Sequence, residues 1–242
     1  MTESPIAMNG SKRRRVLPAL VIALVAIVAV LAIAGGVWLA LRSSGSDGRG
    51  TSSAARVDPT LESARDAYET GDFAAAESEL SAVVAGDSGD IEARKALALA
   101  LSAQGRNDEA LEQYAAVVEA DPNDHASLYQ MAVLERLLGR TDEAIAHFEL
   151  AYAVQSDVVY ADELARTYVQ AGRYEEAVTA WQAVIDSGTL DEGAMAGVYA
   201  AMASAHEGMR DYAQARSALS SALALTPNDT VLKERLEGLG TD

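Results

Sequence analysis

The chain of 242 residues contains no cysteine, and that absence removes disulfide scaffolds, thiolate metal sites, cysteine nucleophiles and lipid attachment through cysteine in one step. Aromatic residues are also scarce, with two Trp and two Phe, while alanine is abundant. Together these favour closely packed helices over a sheet core. The three histidines, His125, His147 and His206, are spread far apart, so they do not cluster as metal ligands do. Phosphate loops of the Gly-x-x-x-x-Gly-Lys type, Gly-x-Ser-x-Gly elbows and His-Glu-x-x-His pairs are likewise missing. No catalytic, cofactor or metal residue is assigned.

What the chain has instead is a recurring hexapeptide. Gly71-Asp72-Phe73-Ala74-Ala75-Ala76 returns as Gly105-Arg106-Asn107-Asp108-Glu109-Ala110, then at Gly139–Ala144, at Gly172–Ala177, and with a shifted first position at Arg210–Ala215. The steps between first positions are 34, 34, 33 and 38 residues. A period in the mid-thirties denotes a repeat array. A glycine after a run of helix formers takes positive φ and ends the helix. The acidic residues after it suit the positive end of the next helix, so each motif reads as a hinge between antiparallel helices. Five positions on stands alanine in every copy (Ala76, Ala110, Ala144, Ala177, Ala215), which lets helix backbones approach. Nine positions on stands a larger plug: Leu80, Tyr114, Phe148, Trp181 or Leu219.

This pattern resembles the tetratricopeptide repeat family, whose unit is a 34-residue helix-turn-helix. Pro122 and Pro227 match the family's proline between repeats, whereas Thr60, Arg94 and Ala161 depart from its bulky residue early in the first helix. The fold class implied is an all-α solenoid. Five repeats are expected at 57–90, 91–124, 125–157, 158–191 and 196–229, followed by a closing helix and tail over 230–242. First helices are expected near Asp58–Thr70, Ile91–Gln104, His125–Leu138, Val158–Ala171 and Asp191–Gly208. Their partners are expected near Asp72–Ala85, Asn107–Ala120, Thr141–Gln155, Tyr174–Asp186 and Asp211–Leu225. Extra residues around Ser187 to Ala196 lengthen a loop or the fifth repeat's first helix.

Ahead of the repeats lies a different chemistry. Residues 1–15 end in Lys12-Arg13-Arg14-Arg15, and Val16 to Leu41 then holds no charged side chain. As a helix that run is roughly 39 Å long, against a hydrocarbon core of ~30 Å, so it reads as one transmembrane helix. Four basic residues before it against Arg42 and Arg49 after it keep the N-terminus cytoplasmic and send the repeats across. A cleaved signal peptide ending at Ala32-Ile33-Ala34 is the competing reading; the apolar run continuing through Trp38 to Leu41 argues against it. Residues 42–56, rich in Ser and Gly, read as a flexible tether.

Charge divides the same way. Residues 1–56 carry net +5 of a total of −17, so the remainder carries −22. Such a domain repels nucleic acid and anionic lipid, and neither is expected as a partner. No small-molecule substrate or cofactor is expected either.

In the resembled family the first helices line a concave face that holds peptides. That implies a groove set of Arg65, Tyr68, Lys95, Leu99, Tyr129, Val133, Arg136, Asp162, Arg166 and Val169. Its cations beside tyrosines suit a peptide with some acidic character. A carboxylate clamp known in the family is not matched, since Leu61 and Arg65 stand where lysine and asparagine belong. The function implied is a membrane-anchored extracytoplasmic scaffold, of the bacterial single-pass type, in envelope protein assembly or cytochrome c maturation. The alternatives are a general holdase for unfolded clients and a non-catalytic enzyme subunit.

Overall fold

Every hinge glycine that ends a first helix is in the left-handed region. In the computed structural model, which describes residues 59–240, Gly71, Gly105, Gly139 and Gly172 have φ of +84°, +78°, +77° and +76°. Each closes the same backbone motif: the amide three residues past the helix reaches back to a carbonyl in its last turn. The pairs are Asp72 N to Ala67 O, Arg106 N to Leu101 O, Arg140 N to Glu135 O and Arg173 N to Tyr168 O, all within 2.8–3.0 Å.

Among the described residues there are eleven helices. Five hairpins pair α1 (Pro59–Glu69) with α2 (Phe73–Gly86), α3 (Ile91–Ala103) with α4 (Asn107–Ala120), and α5 (His125–Leu137) with α6 (Thr141–Val154). The fourth and fifth pair α7 (Val158–Gln170) with α8 (Tyr174–Asp186), and α9 (Glu192–Gly208) with α10 (Tyr212–Leu225), before α11 (Thr230–Gly238). The described residues form an all-α solenoid without strands, and each helix packs chiefly on its neighbours in sequence. Helix ends fall within one or two residues of the sequence expectation. The extra residues before the fifth repeat do both things foreseen: 187–191 form a longer connection, and α9 has 17 residues where the other first helices have 11 to 13.

Starts are capped by aspartate. Asp90, Asp124, Asp157, Asp191 and Asp229 precede α3, α5, α7, α9 and α11, and each carboxylate accepts a backbone N–H of the first turn at 2.7–2.9 Å. Each such cap stabilises its helix by ~1 kcal/mol. Second helices divide: Asp72 and Asp211 cap α2 and α10, but Arg106, Arg140 and Arg173 precede α4, α6 and α8 and make no side-chain cap. Those arginines reach carboxylates instead, Arg106 to Glu77 and Arg140 to Asp108 at 2.6 Å across to the previous repeat, and Arg173 to Glu176 at 2.9 Å.

The core is the two periodic positions. Ala76, Ala110, Ala144, Ala177 and Ala215 are completely buried. So are the plugs Phe148 and Leu219, with Leu80, Tyr114 and Trp181 nearly so. Trp181 also donates its indole N–H to Asp162 at 2.7 Å, which satisfies a polar atom that burial would otherwise strand. α11 closes the end by burying Leu232 and donating Arg235 to Glu207 on α9 at 2.7 Å.

No helix among the described residues is long and apolar enough to cross a membrane. The tail 1–15, the Val16–Leu41 span and the tether 42–56 lie outside the described residues.

Candidate partner-binding face

First helices recur once in every repeat, so residues at one offset before each hinge form rows that run along the array. Six residues before the hinge the row reads Arg65, Leu99, Val133, Arg166, Ser204. Its middle is sunk, with Leu99 6% and Val133 9% exposed, while the side chains of Arg65 and Arg166 are 38% and 54% exposed. The neighbouring row, ten residues before the hinge, holds Lys95, Tyr129 and Asp162; Tyr129 is buried at 5%. Three residues before the hinge stand Tyr68, Arg136 and Val169, all half-buried.

Leu99, Tyr129 and Val133 were expected to point outward, and the structure buries them instead. Tyr129 is held by rings on both sides, stacked on Tyr160 at 4.8 Å between centroids and edge-on to Phe148 at 5.6 Å. The four cations are not free either. Arg65 faces Glu62, Asp66 and Glu69 at 3.5–3.7 Å. Lys95 pairs with Asp124 and with Glu92. Arg136 donates to Glu163 at 2.7 Å, linking α5 to α7, and Arg166 donates to Asp162 at 2.8 Å. In a chain this acidic, a cation on a helix surface finds a carboxylate within one turn or one repeat.

Burial alone would push the Lys95 ammonium down, but the Asp124 carboxylate outweighs it and holds the pKa above the ordinary lysine value. Burial would likewise raise Asp124; the Lys95 bond and the Ser127 N–H reverse that and hold it below the usual aspartate value. Burial raises the Tyr68 hydroxyl, and lifts that of Tyr160 to about 12.

Family models described as tetratricopeptide repeat match residues 67–134, 126–151 and 163–230. The helical hairpins are tetratricopeptide repeats. Solved structures agree on the fold. A crystal structure of MamA protein is 17% identical with a TM-score of 0.63, covering 76% of this chain and 94% of that one. A tetratricopeptide repeat protein from Parabacteroides merdae ATCC 43184 is 18% identical with a TM-score of 0.65, covering 75% and 71%. YrrB, described as a TPR protein with an unusual peptide-binding site, is 14% identical with a TM-score of 0.63, covering 74% and 91%. No curated protein matches the chain.

Two contacts of this tetratricopeptide array were not foreseen. His125 and the Tyr160 hydroxyl are 2.8 Å apart across neighbouring first helices. His147 Nδ1 lies 2.7 Å from Glu135, a carboxylate only 6% exposed. The spacing carried a signal for both: partners about one period apart face each other between adjacent repeats, and partners twelve apart face each other across one hairpin. Among the described residues no group of three His, Asp or Glu is placed to hold a metal ion.

Proposed function

We propose that this chain is a membrane-anchored scaffold whose tetratricopeptide repeats stand outside the cytoplasm and bind a peptide segment of a partner on the first-helix face. The observation that carries the reading is the profile of one row: apolar Leu99 and Val133 sunk at its centre, Arg65 and Arg166 raised on either side. A ligand side chain entering the middle meets hydrocarbon, and its flanks meet arginines. Those arginines, each already held by a carboxylate, set register, and the sunken apolar centre forms the floor between them on which the segment rests. The bound segment is therefore apolar with polar flanks, and the acidic character expected from composition is secondary. The anchor rests on the charge-free run from Val16 to Leu41 and the four basic residues before it. Envelope protein assembly, cytochrome c maturation included, is the setting such a layout suits.

The test is recovery of partners from solubilised membranes with the wild-type chain, Val133→Lys and Arg166→Glu, with helicity checked by circular dichroism. A single saturable partner that Val133→Lys loses supports the scaffold. A broad client set held equally by all three proteins replaces it with a holdase. Protease accessibility of the repeats in intact cells tests sidedness: digestion from outside agrees with the proposed topology, and protection contradicts it.

A further inference from the structure

The third repeat departs from the other four at positions the fold leaves free. Eleven residues past the hinge stand Ala82, Ala116, Ala183 and Ser221, but Leu150 in the third repeat, 52% exposed. Fifteen past it stand Gly86, Ala120 and Ser187, with Leu225 under the closing helix, but Val154 in the third, 42% exposed. Leu150 and Val154 are four apart on α6 and share a face. Packing does not demand these side chains, since small residues serve at the equivalent places.

Their surroundings state what would cover them. The connections at this end of the hairpins, 121–124 and 155–157, contain three aspartates and no lysine or arginine, and neither 107–135 nor 141–165 contains a lysine or an arginine. Glu119 and Asp121 are exposed there, and neither they nor Asp157 makes an ion pair, whereas Glu149 is engaged by the Tyr168 hydroxyl at 2.5 Å. A second copy of this chain would set one acidic rim against another, which disfavours it. We propose that Leu150 and Val154 are the centre of a second docking surface, on the second helix of the third repeat at its between-repeat end, for a cationic amphipathic segment of another protein. The aliphatic side chains supply burial, and the acidic rim selects the sign of the partner's flanking charge. This surface is separate from the first-helix face.

The chain's lack of cysteine makes the test simple. A single Ala153→Cys in the full chain carries an environment-sensitive fluorophore, titrated with a 14-residue helical peptide of leucine and lysine. The fluorophore is expected to shift and saturate with this peptide, and not with leucine–glutamate or alanine–lysine versions. Leu150→Ala with Val154→Ala, residues that other repeats already carry, is expected to weaken binding about tenfold. Asp121→Asn with Asp157→Asn, which keeps a capping side chain, is expected to weaken it severalfold and flatten its salt dependence. Val133→Lys and Arg166→Glu are expected to leave it unchanged, so failure here and failure of the first-helix face are told apart. Equal binding by the double-alanine variant, equal response to the leucine–glutamate peptide, no response at all, or a shift driven by protein concentration alone would each overturn the proposal.

Discussion

The ring of Tyr174, first residue of α8, lies flat against Gly208 at the end of α9, so closely that a Cβ at 208 would stand 2.6 Å from Cζ and 2.7 Å from Cε1. The fourth and fifth repeats thus lock through the glycine that ends α9, a helical position where alanine has the higher propensity. Gly208→Ala is expected to lower stability by about 1 kcal/mol, overpacking exceeding the gain in helix propensity. With Tyr174→Ala already made, the same change is expected to raise stability by a similar amount. Urea unfolding of the four proteins of that cycle checks the reversal of sign.

Two residues on, the fifth hinge is made by Arg210 at φ +60°, the one non-glycine residue with positive φ among those described. Its hinge closes like the others, with Asp211 N reaching His206 O at 2.9 Å. A side chain in the left-handed region costs ~1–2 kcal/mol, partly offset because glycine frees the unfolded chain. Arg210→Gly is expected to raise stability by about 0.5–1 kcal/mol, read as a higher midpoint in urea.

Ala144 is completely buried where α6 meets its neighbours, and Ala146, two residues on, is exposed. Ala144→Leu is expected to cost ~3 kcal/mol or prevent folding of the third repeat, while Ala146→Leu stays within ~0.5 kcal/mol. Both residues have high helix propensity, so thermal unfolding of the pair isolates packing.

The Lys95–Asp124 pair joins the second repeat to the cap of the third, with side chains 13% and 12% exposed. Asp124 is depressed in the folded chain, so its contribution is present above the unfolded value near ~4 and lost as pH falls through the folded one. Lys95 is raised, so its contribution is present below ~10.4 and lost as pH rises through the folded value. Lys95→Met is expected to cost about 2 kcal/mol at pH 7 and much less near pH 2, flattening the acid limb of stability against pH. An unchanged acid limb would remove the pair from the account.

The hairpins were legible because their signals are local. Glycine at a left-handed position, alanine at a helix crossing and a bulky plug four residues later each answer a requirement met within one repeat. Arg210 shows where that reading stops: the hinge stands where the register put it but is made by arginine, and the glycine at 208 answers a tyrosine 34 residues away. The first-helix face was legible as rows and illegible as chemistry. Sequence offsets place Lys95, Arg136 and Arg166 on one side of the array, yet the carboxylate partners of the first two come from the next repeat and that of Arg166 from the preceding turn. The sinking of Leu99, Tyr129 and Val133 is a property of neighbouring helices closing over them, which no single repeat encodes.

The amino-acid order by itself determined the helices, the hinges, the period and the excess of negative charge, since each depends on backbone conformation or composition acting over a few residues. Only the stacked array decided how Lys95 and Arg136 are neutralised, which of the row's side chains are buried, and that Leu150 and Val154 stay uncovered. Those depend on what the adjacent repeat presents across the gap, and a distance of one period in the chain is closed only when the hairpins nest.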